Sequence, residues 1–371
     1  MGVQRRWGDV GAAQSASGLI ASGGFVAYCV AALAARSLVG SRGARLVLWL
    51  SAVLAAAGAV VVAVSWSAVV LAMGVLVAGN AAGAATPALV VAVASTMPHR
   101  SAPRGQAVVN AGTGVGIATV GVVAILAPSV WRPVWALAAV AVVVVAARVD
   151  RRTCWPEPPG SALPHQGAPH DDDADRGGWT ALVRPVLAAG LAGAGSAAVW
   201  TFGRELLAST GGLPERTTAT LWVLLGVAAV LGAFSGDIVR VLGLRRAWVL
   251  TALLSATGTA VLALAAVHVV AAGVAAGLFG GSYTALSGVL IAWAGALRPH
   301  LAGATTATLF ISLTAGQAVG SAATGALAGS VGPTVAFMVS VALLVAAAGV
   351  LPRRAAGSSI GQGPSRHDVD R

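Results

Sequence analysis

The sequence predicts an all-α, polytopic membrane protein, and three observations support this fold class. Of the 371 residues, 57% are hydrophobic and only 9% are charged, whereas about a quarter of the residues in a soluble domain are charged. The apolar residues form charge-free runs of roughly the twenty residues that a helix needs to cross a bilayer. Gly and Ala are abundant in these runs, and small residues allow helices to pack closely in lipid.

Eleven membrane-spanning helices are expected, with ends defined to within a few residues. The expected spans are 14–35, 46–64, 67–96, 105–128, 130–147, 181–203, 217–238, 247–267, 269–296, 301–329 and 334–351. Glycines within them are interpreted as faces for helix packing, foremost Gly190, Gly193, Gly195, Gly316 and Gly320.

A stretch rich in Pro, Gly and charged residues separates the fifth span from the sixth. It lacks apolar periodicity, which is typical of a linker. Its acidic residues are interpreted as solvated linker rather than as a metal site; they are Asp171, Asp172, Asp173 and Asp175. The expected domains are a first helical bundle at 1–148, a cytoplasmic linker at 149–178, a second bundle at 179–352 and a disordered cytoplasmic tail at 353–371.

The positions of the arginines predict how the protein is oriented. All 23 basic residues are Arg, and the net charge is +11. If each expected span crosses the membrane once, most of the arginines fall on the side of the linker and the C-terminus. The other side holds Arg132, Arg204, Arg216, Arg5 and Arg6. Cytoplasmic loops carry the excess of basic residues, so we expect a multi-pass protein of the cell (plasma) membrane with its linker and C-terminus in the cytoplasm, and no nucleic-acid partner.

The sequence contains no recognisable set of catalytic or metal-binding residues. Cys29 and Cys154 lack metal-ligand spacing. The glycines of "GTGVG" lie inside an apolar run, so they are interpreted as helix packing or a bendable gate rather than as a phosphate-binding loop. The serines of "SYTALSG" have no His or Asp within the spans to complete a triad. We therefore expect no enzyme activity, no catalytic residue, no metal and no cofactor.

A short basic turn occurs twice, two hundred positions apart. "RSLVGSRGARLVLW" begins at residue 36 and "GDIVRVLGLRRAWV" begins at residue 236. Each lies between two apolar runs, and Gly43 and Arg45 of the first match Gly243 and Arg245 of the second. Such an echo predicts an internal repeat, in which two related bundles carry the same turn.

With these turns the chain resembles the major facilitator superfamily. The family's signature after its second helix is Gly-x-Leu-Ala-Asp-Arg-x-Gly-Arg-Arg, and a weaker copy follows its eighth helix. The first turn here keeps Gly43 and Arg45 but has Gly40 at the Asp position. The second keeps Gly236, Gly243 and Arg245, with Asp237 one residue after the first Gly. "VLVAGNAAGAATPALV", "NAGTGVGIATVGVVAIL" and "FGGSYTALSGVLIAWAGALRP" resemble the family's fourth, fifth and tenth helices.

The resemblance implies a two-bundle fold with eleven transmembrane helices, five plus six, in place of twelve. Span 14–35 corresponds to the family's second helix, and "WGDVGAAQSASGLIASGG" resembles the external loop that enters it. The first helix therefore has no counterpart, which indicates a start further upstream or a truncated gene.

The resemblance also implies secondary active transport of a small solute by alternating access between the bundles, as an efflux or proton-coupled carrier. The alternatives are a truncated, non-transporting member of the family and, less favoured, a membrane-embedded enzyme. The expected partners are the solute, the lipid bilayer and, in a coupled mechanism, protons. The expected state is a monomer.

Polar residues inside the spans are the candidates for a solute cavity, because a solute that leaves water needs replacement hydrogen-bond partners. The candidate cavity residues are Asn80, Asn110, Trp200, Tyr283 and Gln317. Arg204, Glu205 and Asp237 are candidates for gating or coupling, the alternative being ordinary interfacial charge. The motif-like turn residues are Gly43, Arg45, Gly236, Gly243 and Arg245.

Overall fold

The computed structural model describes residues 2–98, 101–126, 128–156 and 178–352. Within these ranges the chain forms helices and turns, without a strand. The acidic run of the expected linker and the expected tail lie outside the described residues, as do the side chains of Arg5 and Arg6.

Twelve α-helices make up most of the described chain. They are α1 Gly2–Arg42, α2 Ala44–Ala63, α3 Ala68–Thr96, α4 Ala102–Leu126, α5 Trp131–Arg152, α6 Gly178–Ser209, α7 Glu215–Ala229, α8 Ser235–Leu242, α9 Leu244–Leu264, α10 Val269–Leu297, α11 Ala302–Val331 and α12 Pro333–Gly349. Short 3-10 segments lie at Pro128–Val130, Val230–Phe234 and Pro299–Leu301.

The helices have the lengths and compositions of a multi-pass membrane protein. Nine segments of the described chain are long and apolar enough to cross a bilayer, and α7 and α8 form one of them together, Glu215–Leu242. Helix α11 has the length of a span but is less apolar, and α12 is apolar but has 17 residues. Each of the eleven expected spans coincides with helix, so the all-α, polytopic fold class is confirmed.

Helices α1 and α5 extend beyond the expected spans. Helix α1 begins at Gly2, so the interpretation of the segment before span 14–35 as a loop was wrong. No Pro occurs between residues 2 and 42, and nothing else in that segment forces the backbone out of a helix. Helix α5 continues to Arg152, which places Asp150 on a helix rather than in the linker.

The helices pack as two groups that meet along two lines. Helix α2 packs against α3 and α5, and α1 packs against α3. In the second group α9 packs against α10 and α12, and α6 packs against α11 and α12. Helix α1 contacts α11 across the groups, and α4 contacts α7 far more than any helix of its own half. These two pairs hold the halves together.

The larger buried core lies in the second half. Trp248 is fully buried and its indole N–H donates to the Ala347 carbonyl at 2.9 Å. Phe279, Phe337 and Leu286 are also fully buried in this half. The core of the first half is smaller and built mainly from Ala, with Leu48 its largest buried member. Large apolar side chains therefore face outward on α2 and α5, as lipid contact requires.

Small residues allow several helices to approach closely. A side chain at Gly316 would collide with the Gly190 backbone, and one at Gly193 with the Leu313 backbone. The predicted packing role of these glycines is confirmed for the α6 and α11 pair. Across the two halves, Gly114 of α4 meets the backbone of Gly226 on α7 in the same way.

The repeated basic turns have the same backbone conformation. Gly43 (φ 88°, ψ 156°) and Gly243 (φ 75°, ψ 157°) each form the whole connection between two helices. The Gly43 N–H donates to Val39 at 3.1 Å, and the Gly243 N–H donates to Val239 at 2.9 Å. A side chain is strained at such angles. The sequence echo therefore reflects one turn built twice, and we call the end of the molecule that carries both turns the arginine-rich end.

Candidate functional site

A cavity of about 660 Å³ lies between the two halves. Helices α1, α3 and α4 form one wall, and α6, α10 and α11 form the other. The lining consists of apolar and aromatic side chains with hydroxyls and carboxamides, and its described members include no Arg, Asp, Glu or His. Four of the five expected cavity residues line it: Asn110, Trp200, Tyr283 and Gln317.

Asn110 connects the two halves at the cavity. Its Nδ2 donates to the Ser287 hydroxyl at 2.6 Å and to the Thr284 carbonyl at 3.2 Å, both on α10. Its Oδ1 accepts no hydrogen bond from a described residue. The carboxamide therefore holds α4 to α10 and still has an acceptor oxygen for another molecule.

Gln317 of α11 has a similar arrangement within the second half. Its Nε2 donates to the Tyr283 hydroxyl at 3.2 Å, and Ser196 Oγ lies 3.5 Å from the same nitrogen. The donor side of the amide thus contacts protein, while Oε1 has no donor among the described residues. The Ser196 hydroxyl donates its own proton to the Gly193 carbonyl at 2.8 Å, so it accepts from Gln317, and this fixes the orientation of the amide.

Three aromatic rings form one wall of the second half. The Phe279 and Tyr283 rings stack with centroids 5.5 Å apart and an interplanar angle of 6°. Trp200 meets both rings edge-on at 5.6 and 5.7 Å. The Trp200 Nε1 atom is buried and has no hydrogen-bond partner in the described part of the chain. Trp200 and Tyr283 line the cavity, whereas Phe279 is fully buried and lies outside the lining.

Sequence reasoning missed the contribution of α1 to the cavity. Tyr28 lines it, and its hydroxyl lies 3.0 Å from the Thr86 hydroxyl of α3. Gln106 of α4 also lines it and donates to the Val90 carbonyl at 3.0 Å. Tyr28 could have been singled out from the sequence, because the chain contains only two tyrosines. Both of them line the cavity.

Asn80, Arg204 and Glu205 lie away from this cavity. Asn80 is on α3, with a buried Oδ1 that lacks a partner among the described residues, but it is not part of the lining. Arg204 lines a separate pocket of about 450 Å³ at the opposite end from the arginine-rich end. That pocket shares Thr113 and Ile117 with the central cavity. Glu205 is exposed on the same turn of α6.

At the arginine-rich end, ionic and polar contacts cross between the halves. Asp237 of α8 lies 3.3 Å from Arg104 of α4 and 2.8 Å from Arg240 of its own helix. Arg36 of α1 donates to the Thr308 hydroxyl of α11 at 3.1 Å. Sequence reasoning singled out Asp237 but did not identify Arg104 as its partner, since nothing local links positions 133 residues apart.

The two turn arginines have different environments. Arg45 makes two hydrogen bonds to the Asp150 carboxylate, at 2.7 and 2.9 Å, and Trp155 Nε1 donates to the same carboxylate at 2.9 Å. Arg245 has no acidic partner among the described residues. The first turn is thus tied to α5 of its own half. Gly236, the remaining turn residue, has open space around the position of a side chain.

Comparison with known proteins agrees with this architecture. The sequence profile of the Major Facilitator Superfamily matches residues 7–268. No curated protein sequence matches the chain.

Three solved structures illustrate the likeness in fold. The crystal structure of the human organic anion transporter MFSD10 (TETRAN) superposes with a TM-score of 0.70 at 14% identity, over 90% of this chain and 83% of that one. A variant of the E. coli fucose:proton symporter FucP gives 0.63 at 15% identity, over 93% of each chain. A mutant of the nucleoside transporter NupG gives 0.63 at 12% identity, over 90% of this chain and 89% of that one.

Proposed function

Because the chain belongs to the Major Facilitator Superfamily, a family of membrane transporters, we propose that it moves a small solute by alternating access between its two helical bundles. The observation that carries the proposal is the cavity between the halves, with polar groups contributed by both. A solute crossing lipid must find such groups at membrane depth.

The contacts between the halves support a rocking mechanism. The halves meet along α1 with α11 and along α4 with α7, where glycines bring backbones together. Two bundles that meet along such helix pairs can rotate against each other around a central site. Asn110 would change its contacts with α10 during that rotation, since its hydrogen bonds cross the interface.

The ion pair between Arg104 and Asp237 is proposed to close the arginine-rich end. It joins α4 to α8 across the halves, and both side chains are partly solvent-exposed. An exposed pair contributes only about 0.2 to 1 kcal/mol. Such a contact can break and re-form without a large barrier, which suits a gate.

The arginine-rich end is proposed to face the cytoplasm of a cell whose plasma membrane holds the protein. The positive-inside tendency supports this orientation, and the expected linker and tail would then be cytoplasmic. We also propose that the protein acts as an efflux or proton-coupled carrier. Arg204 and Glu205, at the opposite end, are the candidate residues for coupling or for solute entry. A membrane-embedded enzyme is set aside, because the family is one of transporters.

Cysteine accessibility in sealed vesicles tests alternating access without knowledge of the solute. Ala85 of α3 lines the cavity, and Cys29 and Cys154 are the two native thiols. Ala85→Cys in a background with both native cysteines changed to Ser is expected to react with a membrane-impermeant methanethiosulfonate added from either side.

Leu137→Cys provides the matched control, since Leu137 is 69% exposed on α5 and faces lipid outside the cavity. It should stay unreactive from both sides. Reaction of the Ala85 variant from one side only, or from neither, would contradict alternating access and favour a non-transporting member of the family.

A further inference from the structure

The chemistry of the central cavity points to a class of solute. We propose that the cavity binds an uncharged, planar aromatic molecule that donates an N–H or O–H hydrogen bond to the carboxamide oxygens of Asn110 and Gln317. This inference rests on the proposed transport function and adds the solute class to it.

The carboxamides of Asn110 and Gln317 use their nitrogens within the protein and leave their oxygens free of donors from the described residues. The Nδ2 of Asn110 and the Nε2 of Gln317 both donate to protein groups. Their oxygens accept nothing from the described residues. A protein carboxamide has two acceptor sites on its oxygen, so both side chains present acceptors, one from each half of the molecule. A solute held at either oxygen must carry a donor.

The aromatic side chains beside Gln317 favour a planar aromatic solute. Phe279 and Tyr283 stack within a few degrees of parallel, and Trp200 meets them edge-on. Aromatic pairs of this kind stabilise each other beyond the area they bury. A planar ring in the cavity that packs on Trp200 or Tyr283, the two rings that line it, extends the cluster.

The cavity lining also favours a neutral solute over a charged one. The described lining carries no charged side chain, and a charge taken into an apolar site without a counter-ion loses much of its hydration energy. Aromatic faces and amide oxygens can hold a cation, so a cation is the main competitor. The neutral solute is favoured because it meets the same groups without that loss.

Four probes of similar outline distinguish these chemistries. 2-Quinolone is neutral and carries an N–H beside a carbonyl. Coumarin keeps the outline and the carbonyl but has a ring oxygen in place of the N–H. N-methylquinolinium is a cation, and quinoline-2-carboxylate is an anion. Binding of each is measured by calorimetry to the full-length protein in nanodiscs, with empty nanodiscs as the lipid blank.

2-Quinolone should bind at least about fivefold more tightly than coumarin, the ratio that one net hydrogen bond of about 1 kcal/mol supplies. Neither ion should give a measurable heat. Equal affinity for the two neutral probes, tighter binding of either ion, or no binding by any neutral probe would overturn the proposal.

Variants of Gln317 test whether its carboxamide oxygen accepts the N–H of 2-quinolone and so causes the preference over coumarin. Gln317→Leu should bring the two neutral probes to within about twofold of each other. Gln317→Glu keeps an acceptor, so it should retain binding of 2-quinolone and gain binding of N-methylquinolinium. Binding of 2-quinolone by Gln317→Glu would also show that a protein substituted at this position still folds.

Asn80→Leu is the control, since it removes a carboxamide from a span without touching the cavity lining. It should preserve the fivefold preference. If Asn80→Leu abolished that preference as Gln317→Leu does, the assignment to Gln317 would be wrong. The cysteine experiment on Ala85 needs no solute, so alternating access can hold even if this solute class fails.

Discussion

Two carboxylates at the arginine-rich end bind arginines in different ways. Asp150 is 10% exposed and binds Arg45 within the first half, with Trp155 as a further donor. Asp237 is 27% exposed and binds Arg104 across the halves. The first pair holds one bundle's own helices, and the second can sense how the bundles sit against each other. Loss of each carboxylate should therefore have a different consequence.

Asp237→Asn should favour opening at the arginine-rich end. The substitution removes the charge that draws α4 to α8, while the fold loses only two exposed pairs, with Arg104 and Arg240, at about 1 kcal/mol or less each. We expect the cysteine at position 85 to react several times faster from the arginine-rich side, with little change in the thermal unfolding midpoint.

Asp150→Asn is the matched comparison. It removes a carboxylate whose partners, Arg45 and Trp155, both lie in the first half, so it should lower the unfolding midpoint and leave the reaction rate at position 85 unchanged. The interpretation of Asp237 as a gate would be refuted if both variants changed accessibility equally.

At the scale of helices, the one-residue connections at Gly43 and Gly243 determine how α1 meets α2 and how α8 meets α9. Both residues have positive φ with extended ψ, a region that is almost limited to glycine. Gly43→Ala and Gly243→Ala should each destabilise the protein by about 1 to 3 kcal/mol, seen as a lower midpoint in tryptophan-monitored thermal unfolding.

Gly236→Ala serves as the control for these turns. Gly236 lies inside α8 with open space around a side chain, and Ala is favoured over Gly in a helix. Its midpoint should stay the same or rise. A fall equal to that of Gly243→Ala would mean that backbone strain is not the cause.

The contact of α4 with α7 depends on a glycine pair. A side chain at Gly114 would press on the Gly226 backbone, whereas nothing lies within 4 Å of one at Gly112. Gly114→Ala should therefore destabilise the contact, at a cost of about 1 to 3 kcal/mol for overpacking. Gly112→Ala should be nearly silent. Unfolding midpoints of the two variants, which differ only in position along one helix, provide the measurement.

At the scale of the whole molecule, the two native thiols report on the orientation and on the closed interface. Cys154 is exposed just after α5, within the expected linker, whereas Cys29 is partly buried and its thiol lies 3.6 Å from the Ile311 carbonyl across the halves. A membrane-impermeant maleimide should label Cys154 quickly in inside-out vesicles and slowly in right-side-out vesicles. Cys29 should react mainly after denaturation.

Cys154→Ser should remove the fast labelling. Peptide masses of the labelled protein identify which cysteine has reacted. Fast labelling of Cys154 in right-side-out vesicles would instead place the arginine-rich end outside and reverse the proposed orientation.

Much of the architecture could be predicted from local pattern. Helices in lipid must satisfy their own backbone, so charge-free runs of sufficient length identify them, and all eleven runs lie on helix. The paired glycines at 43 and 243 were recognisable because only glycine tolerates their backbone angles. The start of α1 was mispredicted, since a resemblance to a loop carried more weight than the absence of a helix-breaking Pro.

The candidate site could be predicted only in part. Asn110, Trp200, Tyr283 and Gln317 stood out because polar and aromatic groups are conspicuous inside apolar runs. Periodicity does not say which face of a span points inward when the whole span is apolar. Asn80 was therefore grouped with the others although it lies outside the lining, and Tyr28 was missed although it lies within it.

The sequence by itself determined the class of protein, the number of helical runs, the repeated turn and the residue types available to a cavity, because these depend on composition and on neighbours along the chain. Tertiary structure decided which of those residues meet. Arg104 with Asp237, Arg45 with Asp150, and Asn110 with Ser287 are each more than one hundred residues apart. Such contacts depend on how bundles pack, so only the folded chain shows that the cavity has acceptor oxygens on both sides.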